Sequence, residues 1–85
     1  IEINPRFTDA YTNLSTAYYN RGNRKRESGD NYGAISDYTK AIEINPSNAK
    51  AYNNRGIAKN YLGDIKGACS DWREASKLGF GYNEC

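Results

Sequence analysis

The 85-residue chain contains no histidine and no methionine, and it carries only two cysteines and two prolines. Without histidine it lacks the commonest general base, the base of the usual hydrolytic triads and the commonest zinc ligand. Cys69 and Cys85 cannot form a four-ligand zinc site unaided. Neither catalysis nor a cofactor is expected. Apolar residues are sparse too, at 38% of the chain with a mean hydropathy of −0.94. No apolar run is long enough to span a bilayer, and no signal-peptide pattern is present. A net charge of +2 and a pI near 8.6 are too mild to point to nucleic acid or to an anionic membrane. Lacking methionine and opening on Ile1, the chain reads as a piece of a longer protein. The absence of a targeting segment therefore leaves the compartment open, with the cytoplasm slightly favoured.

What the chain does contain is a repeat. A conventional core would be hard to fill from so few apolar residues, whereas a repeat buries the stripe of each unit against its neighbours. At an offset of 34, positions 17–41 fall on 51–75, and thirteen of the 25 pairs are identical. They include Tyr18/Tyr52, Asn20/Asn54, Arg21/Arg55, Gly22/Gly56, Lys25/Lys59, Asp30/Asp64, Asp37/Asp71 and Ala41/Ala75. Tyr38 against Trp72 keeps an aromatic in register. Ser47-Asn48 caps a helix expected over about 49–62, Gly63 stops it, and Asp64 caps another over about 65–78. Ile65, Ala68, Cys69, Trp72 and Ala75 form an amphipathic stripe on that last helix, as Ala34, Ile35, Tyr38, Ala41 and Ile42 do over about 31–44. Small residues at Gly56, Ala34 and Ala68 let two helix backbones approach closely.

The second unit resembles a tetratricopeptide repeat (TPR), whose period is about 34 residues. Tyr52, Gly56, Ala68, Trp72 and Ala75 occupy five of the eight signature positions. Arg55, Lys59 and Phe80 stand where Leu, Tyr and Pro are usual, and the first unit repeats the basic pair as Arg21 and Lys25 while keeping its proline as Pro46. Methylene stems laid over apolar surface make the basic substitutions tolerable. The resemblance covers about residues 8–78 and implies an all-α, helix-turn-helix repeat solenoid of about two repeats, with residues 1–7 as the end of a preceding one. The first unit then spans 8–46, the second 47–79, and 80–85 form a tail.

One irregularity stands out. Ile-Glu-Ile-Asn-Pro occurs at 1–5 and again at 42–46, an offset of 41, so seven extra residues precede the first full unit. Seven residues are nearly two helical turns and leave the apolar face turned by only about 20°. Either one long helix runs over about 8–27, or it ends near Gly22 and Asn23–Gly29 form an enlarged loop; the helix propensity of residues 24–27 favours the rod. Tyr11, Leu14, Ser15 and Tyr18 fit the first-helix pattern as well as Tyr18, Arg21 and Gly22 do. Two docking registers invite domain swapping or a symmetric dimer. The tail is too short and glycine-rich to be a capping helix, so a second copy, or Phe80 and Tyr82 folding back, is expected over the outer face of the last helix.

The resemblance also implies a function: a concave groove, lined by the first helices, that holds a peptide or partner protein. By position it presents Lys50, Asn53, Asn54, Ile57, Asn60 and Tyr61 from the second unit and Thr12, Thr16, Tyr19 and Asn23 from the first. Amides carry both a donor and an acceptor for a peptide backbone, and Tyr adds apolar area with a polar tip. Some TPRs hold acidic C-terminal tails in a clamp of Lys, Asn, Asn, Lys and Arg. Asn54 and Asn23 match its asparagines, but Tyr19 replaces the first Lys and no third repeat supplies the rest, so the match is partial. The alternative function is a self-associating scaffold joined through exposed repeat ends; RNA binding is a weak third.

Blander roles stand beside these. Asn20 and Asn54 equally suit bonds between neighbouring helices, and Tyr18, Tyr38, Tyr52 and Trp72 read as core. Arg24-Lys25-Arg26 reads as a solvated face. Cys69 is either a small buried apolar side chain or bridged to Cys85 to pin the tail.

Overall fold

A computed structural model describes residues 5–81 and 85. It contains α1 (Pro5–Glu27), α2 (Asn31–Ile44), α3 (Ala49–Tyr61) and α4 (Ile65–Lys77), with no strand among the described residues. Two antiparallel hairpins, α1–α2 and α3–α4, stack through α2 and α3, and α1 also touches α3. The chain is an all-α helical repeat.

Local chemistry sets the helix ends. Asp30, Asn48 and Asp64 each cap a helix, their Oδ1 atoms accepting from the backbone N–H of Gly33 (2.9 Å), Ala51 (3.1 Å) and Gly67 (2.9 Å). The two hairpin turns pass through Gly29 (φ 91°) and Gly63 (φ 86°), in the left-handed region that a side chain disfavours. α1 runs unbroken from Pro5 through Asn23 to Glu27, the rod rather than the enlarged loop. Residues 1–4, and Tyr82 of the expected fold-back, lie outside the described residues. α3 and α4 end one residue before the expected limits, with Leu62 and Leu78 as C-caps.

Each hairpin closes where a glycine meets an aromatic ring. A Cβ on Gly22 would lie 2.7 Å from Tyr38 Cε1, and one on Gly56 would lie 2.5 Å from Trp72 Nε1. Thus α1 docks in the register that Gly22 dictates, and Ser15, seven residues before it, donates to Ala41 O at 2.8 Å and accepts from Asn48 Nδ2 at 3.1 Å. Among the described residues the fully buried apolar ones are mostly alanine, with Ala34, Ala41, Ala51, Ala58 and Ala68 at 0% exposure and Tyr38 the one large side chain among them. Close helix approach, rather than bulk, makes this core.

The basic substitutions do more than cover apolar surface. Arg21 donates to both carboxylate oxygens of Asp37 at 2.8 Å, and Lys25 joins at 3.1 Å. One unit later Arg55 grips Asp71 at 2.8 and 2.6 Å, with Lys59 at 3.0 Å. Both aspartates are buried, so each carboxylate crosses its hairpin satisfied by two cations. Lys25 and Arg26 therefore do not form the freely solvated face that the Arg24-Lys25-Arg26 run suggests, since Arg26 also donates to the Tyr38 hydroxyl at 3.3 Å.

Of the two roles for Cys69, the bridge is the one found: Cys69 is joined to Cys85 and is only half-buried. The tail turns back as the Phe80 N–H donates to Ala75 O at 2.9 Å.

Candidate functional site

Four of the ten groove candidates come together at one point. Asn54 on α3 donates from Nδ2 to the Tyr19 hydroxyl (3.1 Å) and to Asn23 Oδ1 (2.9 Å), both on α1. Asn53 Nδ2 donates to Asn54 Oδ1 at 3.2 Å, and the Tyr38 hydroxyl of α2 donates to Asn23 Oδ1 at 2.5 Å. Three helices thus meet in one polar cluster, with Tyr19 and Tyr38 also ring to ring at 6.0 Å between centroids. Burial pushes the Tyr38 hydroxyl above its usual pKa, so it stays a protonated donor at neutral pH.

The other candidates lie around this cluster. Thr16 and Lys50 line a cavity of about 380 Å³ together with Leu78 and Phe80. Tyr61, 74% exposed, lines another of about 390 Å³ with Arg26, Glu27 and Asn31. Thr12 is exposed and uses its carbonyl to accept from Thr16 Oγ1; Asn60 is exposed and Ile57 half-buried. Asn54 fills the interhelical role that it shares with groove contact as an alternative, whereas Asn20 is exposed and makes no such bond among the described residues.

Sequence reading left Arg26 and Tyr38 out of the site. The change from Tyr38 to Trp72 between units was the available signal, because only the first unit then owns a phenol on this helix. Trp72 instead donates from Nε1 to Asn53 O at 3.2 Å. The charged pairs carried a clearer signal, since all three partners recur identically one repeat later.

A family model described as TPR repeat matches residues 22–60, from the second half of α1 through nearly all of α3. Over those residues the chain is similar to the TPR repeat family. Repeats of this kind serve in general as protein–protein interaction modules. Among the described residues no group of three metal-ligating side chains occurs, and no helix is long and apolar enough to cross a membrane.

Proposed function

We propose that this chain holds an extended segment of a partner protein across α1 and α3, over the Asn54–Asn23–Tyr19 cluster. The observation that carries the reading is the convergence of these side chains from two helices into one hydrogen-bonded patch. Asn53 adjoins it, and Lys50 lies one helical turn before Asn54 on α3. Such a patch offers donors and acceptors at fixed positions, so a partner need not order them on binding.

Self-association is the second reading, favoured by Tyr11 and Leu14 being 58% and 47% exposed on α1. Head-to-tail stacking has less support at the other end. Thr39 and Ile42 of α2 face α3, where Thr39 accepts from Arg55 Nη1 at 3.3 Å and Ile42 joins Ala51 in the core. The α4 counterparts of Ile35, Thr39 and Ile42, one repeat on, are the bridged Cys69, Arg73 and Ser76, which form a poor apolar seat.

The test is selection from a displayed peptide library on the wild-type chain and on an Asn54→Ala, Lys50→Ala variant of equal helicity. Peptides enriched by the wild type should be lost by the variant. Equal enrichment would mean that the groove assignment is wrong, and a stable dimer by light scattering would favour self-association.

A further inference from the structure

Beyond α4, residues 78–81 and 85 are described, and they lie where the repeat would set another helix. At an offset of 34, Asn53 and Ile57 on α3 are the counterparts of Tyr19 and Asn23 on α1. In the first unit that flank is taken by α3, through Asn54. In the second it is approached by Gly81, where a Cβ would stand 3.8 Å from Asn53 Oδ1. A second line of contact behaves alike. α2 receives α3 along Thr39 and Ile42. The same face of α4 carries Arg73 and, one helical turn earlier, Cys69, which is bridged to Cys85. Gly81 and Cys85 thus touch α3 and α4 along the two lines by which α3 lies on α1 and α2.

Keeping such a segment in place costs chain entropy. Gly79 and Gly81 sit at φ 86° and 72°, and glycine gains the most freedom on release. The bridge offsets that cost by closing a loop between positions 16 apart. Cys85 is exposed, so a thiolate from solvent can reach the link. A second copy fits the seat poorly if it stacks as the repeat does. Its Arg21 would then fall opposite Arg73, where within the chain Arg55 meets Thr39.

We propose that the Cys69–Cys85 bridge is a redox latch that keeps this tail in the seat beside α3 and α4. A dithiol opens it in two exchanges. One thiolate attacks a bridge sulfur to form a mixed disulfide, and the second thiol displaces the protein as the reductant closes into a cyclic disulfide. Two electrons and two protons pass to Cys69 and Cys85, which become thiols. The tail then leaves the outer flank of α3 at Asn53 and Ile57. Asn53 adjoins Asn54 in the cluster, so the opened flank continues the groove and takes further residues of an extended partner segment. This use of the seat rests on the groove reading above; the latch does not.

Nuclear magnetic resonance of the 15N-labelled chain tests the latch in three states: oxidised, reduced with a dithiol, and Cys85→Ser without reductant. In the last two, the Phe80 and Gly81 amides should move to random-coil positions and the Asn53 side-chain amide should shift, while α1 and α2 stay unchanged. Unmoved Gly81 and Asn53 signals in both would overturn the latch. Displayed peptide libraries test the seat. Eleven-residue peptides selected on Cys85→Ser should bind it at least about tenfold more tightly than they bind the oxidised wild type. Adding Ile57→Ser should remove that advantage, and seven-residue peptides should bind both forms alike. Equal affinity of the long peptides for the two forms would overturn the extended groove. A library that yields no groove-dependent peptide on either form sinks the groove reading and the use of the seat with it, whereas the amide signals still decide the latch.

Discussion

Asp37 shows how a single side chain can hold a hairpin. Its carboxyl is 1% exposed and lies below its ordinary pKa of 3.8, because Arg21 hydrogen-bonds it and Lys25 adds a second cation against the opposing effect of burial. A carboxyl with a depressed folded pKa contributes stability that is complete above the unfolded value. That contribution disappears as pH falls through the folded value. Thermal stability should therefore begin to fall below about pH 4, where the unfolded chain takes up a proton at this carboxyl that folded Asp37 still resists. Asn at this position keeps the shape but cannot take up that proton. Asp37→Asn should lower Tm at neutral pH and flatten the acid limb, as measured by circular-dichroism melts over about pH 2.5 to 7. An acid limb as steep as that of the wild type would show that other carboxyls carry it. Arg21 is half-exposed, whereas the Arg55 side chain beside Asp71 is only 16% exposed and also reaches Thr39 on the preceding hairpin. The same residue pair thus closes its own hairpin in both units, and at its second occurrence the arginine also ties that hairpin to the preceding one.

At the scale of the element, helix-to-helix distance is the controlled quantity. Gly56 lets α3 lie against the Trp72 ring, and a Cβ there would overlap the indole at 2.5–3.1 Å. Alanine should gain about 1 kcal/mol of helix propensity over glycine. The overlap should cost more, about 1–3 kcal/mol, because the ring is also tied to Asn53 O and cannot simply withdraw. Gly56→Ala should thus be net destabilising in urea unfolding, and a rise in midpoint would show that the ring yields freely. The close approach was legible in the sequence, where small residues recur at the repeat period, but the ring that each glycine meets was not. The helices, their caps and the turn glycines were legible because each is written in a few consecutive residues. The Arg–Asp pairs were not read, although they recur, since a partner 16 positions away on another helix leaves no local trace. The Asn cluster was still less accessible, since it joins side chains of α1, α2 and α3 that lie far apart in the sequence.

The whole molecule hangs together through its middle. The hairpins span about 40 and about 30 residues, at or below the size at which one core rarely sustains a fold. Their buried stock is chiefly alanine, which adds little apolar area per residue. The junction of α2 and α3, where Ala41, Ile42 and Ala51 meet with Tyr18, Tyr19 and Tyr52 against them, is thus where each unit completes the other. In a nearest-neighbour array that interface is a separate contribution, and weakening it decides whether the units survive singly. Ala51→Glu places a carboxyl at a fully buried position in that junction. An unpaired buried charge costs several kcal/mol, about 3–5, against a total of roughly 4–13 kcal/mol for a chain this long. If the hairpins depend on each other, amide protection should fall in α1, α2, α3 and α4 together, as read by hydrogen exchange and mass spectrometry. Ser70→Glu, at an exposed site on α4, should leave protection intact and serves as the control. Protection retained in α3 and α4 but lost in α1 and α2 would give the opposite answer: the bridge from Cys69 to Cys85 would then be enough to make the second hairpin independent.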